Sequence, residues 1–469
     1  MALRAYNTLT RAKEPFRPRR GKRVAMFVCG ITPYDSPHLG HAKTYVAFDV
    51  VARWLRHRGY RVFYVQNVTD LDDHILDRSR EAGEPWDRIV DRFFAEFLEA
   101  MRTLNVTAVN LYAFATDYIP EILEQIQGLV RSGHAYAVEG GDVYYDTSRF
   151  DRWGAMSGQK VEEHLPGARV EVDPRKHHPA DFVLWKAQKP GEPAWDSPWG
   201  PGRPGWHIED TAIAIAHLGP QYDVHGGATE LMFPHHEAEI AQAEALTGRR
   251  PYVAVWMHGG LLNVKGEKMS KSLGNFWSVR DAVAAYDPMV IRFFLLNAHY
   301  RSPIDFDRGS LDEAKAAYGR LEESVRNLDA ARRAARDHGP ADADLLRAVD
   351  EASRRFEEAM DDDFNTREAL AAVFDFARDL NKALAEGVGR AAIERAGEVF
   401  GIARNVLGLL PEEPSAGFKI EPLVQLLIDL REASRERKDF AAADAIRARL
   451  AETGIVLEDT KDGARWKRA

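Results

Sequence analysis

Residues 22–30 (Lys-Arg-Val-Ala-Met-Phe-Val-Cys-Gly) are a short apolar run closed by glycine, the pattern of a buried parallel strand. The segment from there to His41 is rich in Pro and Gly and reads as a loop. Over 42–57, Tyr45, Val46, Phe48, Val50, Trp54 and Leu55 recur at helical spacing, and a second apolar strand follows at 61–68. Strand, loop, helix and strand make one βαβ unit, with ligands expected at the carboxyl ends of its strands. Helical pairs are predicted over 86–133, and residues 134–205, with many Gly, Pro and Trp, read as an irregular insertion. Strand patterns return at 222–227 and 252–258 around a helix at 235–247, as the second half of one sheet. Beyond residue 310 the strand signal vanishes and Ala-, Arg- and Leu-rich amphipathic helices dominate, with breaks at 336–342 and 410–421. The fold class that follows is α/β: a Rossmann-like parallel-sheet domain carrying an insertion, then an all-α C-terminal region.

Composition narrows the picture. A chain of 469 residues is too long for one core and implies two to four domains. The net charge of −9 means that nucleic acid would have to be met by local basic patches. A single cysteine, Cys29, excludes an internal disulfide framework and fits a reducing cytoplasm. No apolar run approaches the roughly 18 to 20 residues that span a bilayer. The first 23 residues hold eight Lys/Arg against one Glu but lack a signal peptide's apolar core, and Tyr6 to Thr10 read as a short strand and turn.

Two motifs carry phosphate chemistry. His38-Leu39-Gly40-His41 sits between the first strand and its helix, where a small residue admits a ligand and the helix N-terminus adds partial positive charge. Lys268-Met269-Ser270-Lys271-Ser272 lies between Gly266 and Gly274, as suits a loop whose two lysines neutralise phosphate. In this order the pair resembles the motif pair of class I aminoacyl-tRNA synthetases, which implies activation of a carboxylate by ATP. A third constellation suits a metal. His235 and Glu239 fall one helical turn apart, and Cys29 ends the first strand beside the expected site. The residues alone leave a buried, inert cysteine and a solvated His/Glu pair as the alternative.

A wider set of motifs resembles cysteinyl-tRNA synthetases. It comprises Cys29 to Asp35, Asn67-Val68-Thr69-Asp70, Gly205-Trp206-His207-Ile208-Glu209, His225-Gly226-Gly227, Phe233 to Glu239, Asp361 to Thr366 and Gly454 to Asp459. The resemblance implies catalytic roles for His38, His41, Lys268 and Lys271, and ATP binding by His38, Gly40, His41, Gly226, Gly227 and Lys271. It implies an amino-acid pocket with Thr69 and Trp206, and one Zn2+ held by ligands matching Cys29, His235 and Glu239. ATP would enter with Mg2+. The family's usual fourth ligand is a cysteine; here the position is Asp210. Three readings stay open: zinc with Asp210 as ligand, zinc without it while Asp210 or Thr211 caps a helix beginning at Ala212, and no zinc with an altered pocket.

Residues 431–469 hold ten Lys/Arg and eight Asp/Glu, so charge alone does not indicate RNA. The resemblance does, implying tRNA contacts by Arg435, Phe440, Asp444, Arg447 and Asp459, with Phe440 where a tryptophan is common. It divides the chain into catalytic halves at 1–115 and 206–310, a connective insertion at 116–205, a helical bundle at 311–410 and an anticodon module at 411–469. The implied partners are tRNA(Cys), ATP and cysteine, acting on a cytoplasmic monomer away from membranes. The alternatives are a ligase joining cysteine to an amino sugar in thiol biosynthesis, or a non-catalytic RNA-binding paralogue.

Overall fold

The short strand and turn near the N-terminus are a hairpin of β1 (Arg4–Asn7) and β2 (Ala12–Pro15). The structure, a computed structural model, describes residues 2–158, 173–264, 266–268, 276–410, 420–437, 439–453, 455–460 and 463–468. The βαβ unit follows as β3 (Arg23–Ile31), α1 (Leu39–His57) and β4 (Arg61–Val68). The helix begins earlier than its apolar spacing indicates because His38 caps it. Its side chain accepts from the His41 N–H, and the His41 side chain accepts from the His38 N–H. This is a capping box built from imidazoles rather than the usual hydroxyl and carboxylate.

The region of predicted helical pairs holds α2 (Asp73–Ala82), α3 (Trp86–Thr103) and α4 (Ile119–Arg131), but also a strand, β5 (Leu111–Phe114), paired parallel to β4. The insertion is likewise more regular than its composition suggests. Its strands β6 (Ala135–Ala137), β7 (Val143–Tyr145), β8 (Phe182–Ala187) and β9 (Gly202–Pro204) make an antiparallel sheet. Next come α5 (Trp206–Leu218), β10 (Tyr222–Ala228), a π-helical turn at Met232–His236, α6 (Glu237–Thr247) and β11 (Val253–Gly259). The main sheet has five parallel strands in the order β11-β10-β3-β4-β5. The chain reverses direction across the sheet between β3 and β10, where an open parallel sheet leaves a crevice for ligands.

Alternation along β3 decides what faces that crevice. Val24, Met26 and Val28 join the hydrophobic cluster on the α1 side, whereas Phe27 and Cys29 join the cluster containing α5 and α6. After the sheet, β12 (Leu262–Val264) pairs with β13 (Glu267–Lys268), and α7 (Val279–Ala285), α8 (Pro288–Leu296) and β14 (Ile304–Phe306) lead into the bundle. The bundle comprises α9 (Arg308–Arg333), α10 (Asp342–Asp361), α11 (Thr366–Glu386) and α12 (Arg390–Leu407). A buried Arg292–Asp49 ion pair joins α8 to α1, while Arg292 also donates to the backbone oxygens of Leu104 and Leu407.

Contacts divide the chain after Leu410. The second unit has α13 (Ile420–Glu436), α14 (Phe440–Glu452) and a hairpin of β15 (Ile455–Thr460) with β16 (Gly463–Arg468), a ribbon that the helical pattern does not announce. Its core is Val424, Ile428, Leu450, Ile455 and Leu457.

Candidate metal centre and nucleotide cleft

Cys29 meets the residues predicted to share its ion. Its Sγ lies 3.2 Å from Asp210 Oδ2 and 3.9 Å from Glu239 Oε1. His235 Nε2 is 3.1 Å from Asp210 Oδ2 and 3.4 Å from Glu239 Oε1. All four side chains are buried, and their donor atoms lie within 4.8 Å of one another. Asp210 is not a helix cap: α5 starts at Trp206 behind Gly205, so Asp210 and Thr211 lie inside the helix. That removes the capping alternative. The Met232–His236 turn keeps His235 and Glu239 on one side although the helix proper begins only at Glu237.

A second donor set shares two of these residues, Cys29 and Glu239. His225 Nε2 and His236 Nε2 stand 3.3 and 3.0 Å from Cys29 Sγ and, with Glu239, form an alternative four-residue cluster. His225 is fully buried against the thiol, with Tyr222 Oη 2.6 Å from its Nδ1. The Nδ1 of His236 is 2.7 Å from His258 Nε2, whose own Nδ1 meets Thr8 Oγ1 at 2.8 Å.

The electrostatics of this cluster are compatible with a cation. Burial, then Asp210 and Glu239, push the Cys29 thiol well up. Burial and Asp210 likewise raise Glu239 and Glu209 well above the usual carboxylate range. Burial lowers His225, His236 and His207, and brings His258 down to about 3, so the imidazoles are neutral. Among the described residues, the basic side chains within 4.0 Å of Asp210 and Glu239 are histidines rather than lysine or arginine, and Glu239 Oε2 accepts no hydrogen bond. A buried thiol, carboxylates and imidazoles around one point form a donor set that zinc accepts. The residues fit the ion.

Beside this cluster opens a cleft of about 840 Å³ whose wall includes Cys29, His38, His41, Trp206 and Phe276. The His38 and His41 rings stack at 3.7 Å, and each Nδ1 accepts a backbone N–H of the other residue. Both imidazoles, when neutral, therefore carry their proton on Nε2, which makes each a donor suited to phosphate oxygens. Burial and the neighbouring His38 hold His41 well below the ordinary histidine value, so it stays neutral. The described chain that resumes after the lysine motif, at residues 276–278, reaches this wall. Phe276 packs edge-on against His38 at 5.6 Å, Ser278 bridges to His38, and the Leu39 N–H donates to Trp277 O.

The remaining candidates divide. Trp206 is 43% exposed at the cleft and stacks on His235 at 4.2 Å. Thr69 is buried and donates to Glu209 rather than opening into the cleft. Gly40 lies in the first turn of α1. Gly226 and Gly227 have packing reasons: a Cβ would strike the Phe48 ring at 2.4 Å and His236 Cε1 at 2.8 Å. Lys268 lies on β13 with its backbone opposite Asn263, and Lys271 falls outside the described residues. In the second unit Arg435, Phe440, Asp444 and Arg447 are exposed, Phe440 at the first turn of α14 behind the Asp439 cap; Asp459 lies on β15. Sequence reading missed two cations that the insertion sends to the cleft. Lys186 and Arg203 each stand 2.5 Å from Asp73.

The family described as tRNA synthetases class I (C) catalytic domain matches residues 15–316, the DALR domain matches 355–411, and the cysteinyl-tRNA ligase anticodon binding domain matches 420–466. The chain is 48% identical to a cysteine–tRNA ligase of Stutzerimonas stutzeri over 100% of both chains. It is 46% identical to that of Pelotomaculum thermopropionicum over 99% of both. Among solved structures, Mycobacterium tuberculosis methionyl-tRNA synthetase in complex with methionyl-adenylate shares the fold with a TM-score of 0.61. That match has 18% identity and covers 82% of this chain and 92% of the other. The parallel sheet, the paired phosphate motifs and these full-length relatives agree: the chain belongs to the cysteinyl-tRNA ligase family of class I aminoacyl-tRNA synthetases.

Proposed function

We propose that this protein activates cysteine with ATP and esterifies it to the 3′ end of tRNA(Cys), as a cytoplasmic monomer. In the first step the cysteine carboxylate attacks the α-phosphorus of ATP, giving cysteinyl-adenylate and pyrophosphate. In the second, a terminal ribose hydroxyl of the tRNA attacks the activated carbonyl and AMP leaves. The observation that carries this reading is the contact between the Cys29–Asp210–His235–Glu239 cluster and the His38/His41 cleft.

His38 and His41 offer Nε2–H donors to the phosphates of ATP, which enters with Mg2+, beside the α1 N-terminus. Gly40 keeps the start of that helix open to the nucleotide. Lys268 and Lys271 neutralise the departing pyrophosphate. Gly226 and Gly227 serve the nucleotide site indirectly, by seating Phe48 and His236. Trp206 covers the amino acid at the mouth, and Thr69 supports the pocket through Glu209. Cys29, Asp210, His235 and Glu239 would hold zinc, which when bound supplies a Lewis acid that favours a thiolate over serine's hydroxyl. That preference makes a separate editing site unnecessary. Residues 1–115 and 206–310 act as the catalytic halves, 116–205 as the connective insertion, 311–410 as the bundle and 411–469 as the anticodon module. There Arg435, Phe440, Asp444, Arg447 and Asp459 meet the tRNA, with Phe440 stacking on an unpaired base.

Cysteine-dependent exchange of pyrophosphate into ATP tests the first step, and transfer of labelled cysteine to tRNA rather than to an amino sugar tests the second. Lys271→Ala is expected to slow exchange by about 100- to 1,000-fold, the scale of one lost charge-stabilising donor. Absence of exchange in the zinc-supplied native protein would refute the reading.

A further inference from the structure

Asp210 poses a problem that the metal reading leaves open. A carboxylate has two oxygens and a rotatable bond, so a usable ligand atom must be held in place by something outside the ligand set. The structure supplies that restraint in Asn67, the seventh residue of β4, which is 2% exposed.

The register between β3 and β4 shifts between Val28 and Ile31. Within the shift, the Gly30 N–H donates to Asn67 Oδ1 at 2.6 Å. A backbone N–H can only donate, so this bond fixes which way the amide faces. Nδ2 is thereby committed as the donor on the other side, and it meets Asp210 Oδ1 at 2.6 Å. With Oδ1 occupied, Oδ2 is the oxygen left facing Cys29 Sγ and His235 Nε2, at 3.2 and 3.1 Å. One side chain thus touches the neighbour of one candidate ligand and the far oxygen of another.

We propose that Asn67 is a positioning residue for the metal centre, orienting Asp210 so that a single carboxylate oxygen serves a divalent cation. This rests on the reading of the cluster as a metal site. Through Asp210, Asn67 sets how tightly the ion is held. Through Gly30 it would act on Cys29 instead, and the two routes separate experimentally. Replacing Asp210 by cysteine removes the oxygen that Asn67 holds while leaving the Gly30 contact in place.

The test is a four-way comparison on the full-length, metal-stripped protein: wild type, Asn67→Ala, Asp210→Cys and the double variant. Zinc affinity is read by competition with a chelator of known affinity, and thermal unfolding without metal checks the fold. Asn67→Ala is expected to weaken zinc binding by about 10- to 100-fold, the usual range for an outer partner of a ligand. In the Asp210→Cys background the same change should cost less than about 3-fold, because the coupled group is gone. If Asn67→Ala does not fold, Asn67→Ser takes its place in the same cycle. Equal losses in both backgrounds, or wild-type affinity in the Asn67 variant, would overturn the assignment. A wild-type protein that binds no zinc would instead refute the metal reading itself, and the assignment with it.

Discussion

Asp49 and Asp210 are both fully buried carboxylates in the first unit, yet their surroundings differ in kind. Asp49 Oδ1 accepts from the backbone N–H groups of Thr107 and Ala108, each at 2.9 Å, and Oδ2 from Arg292 and Arg53 at 2.5 and 2.7 Å. Its charge is answered by guanidinium groups and its lone pairs by donors. Around Asp210 stand another carboxylate, a thiol and an imidazole; its Oδ1 accepts from the neutral Asn67 amide, and the chain brings neither lysine nor arginine to an ion pair with it among the described residues. Burial without a matching cation is costly, whereas a paired acid is tolerated. Asp49 is a closed structural joint between α1 and α8. Asp210 belongs to a buried donor cluster that could take a cation from outside the chain.

Removing each acid should separate the two most strongly. Asp49→Ala strands the buried Arg292 guanidinium and is expected to cost about 3–5 kcal/mol of stability by denaturant unfolding. Its zinc affinity should be unchanged. Asp210→Ala should leave the metal-free protein at least as stable as wild type while weakening zinc retention. A large loss of metal-free stability on Asp210→Ala would erase the contrast.

The next effect comes from pH. The Cys29 thiol and the Glu239 carboxyl are raised, first by burial and then by Asp210, so the metal-free centre holds protons that a bound cation must displace. Zinc affinity should therefore fall as pH falls, by about tenfold per pH unit for each proton released. Chelator competition between pH 6 and 8 measures the slope, and a flat profile would mean that neither group gives up a proton. The smallest effect lies remote from both acids. Phe440→Ala, at an exposed ring, should weaken tRNA by about 1–3 kcal/mol in the KM for charging and leave pyrophosphate exchange untouched.

Much of the catalytic half was legible because its signals are local. The strand at 23–31, the helix after it and the strand at 61–68 follow from apolar periodicity, and His38 and His41 from their place between strand and helix. Strand β5 escaped because four residues between helices, three of them only partly buried, carry too few positions for a period. The start of α5 escaped because its cap, Gly205, has no side chain to announce it, which is why Asp210 was open to being read as a cap. The contacts made by four further residues escaped for another reason. His225, Asn67, Lys186 and Arg203 reach their contacts across 196, 143, 113 and 130 residues respectively, and no local pattern encodes such pairings.

Whether the cluster at Cys29 holds an ion that grips the substrate's sulfur is decided most directly in cobalt-substituted protein. Cobalt(II) replaces zinc in such sites and reports sulfur ligands through charge-transfer absorption in the near ultraviolet. One equivalent should bind with a band from Cys29, and added cysteine should raise that band as a second sulfur enters, whereas serine should not. A spectrum that cysteine leaves unchanged, or protein that takes up no cobalt, would rule out an ion that binds the substrate's sulfur.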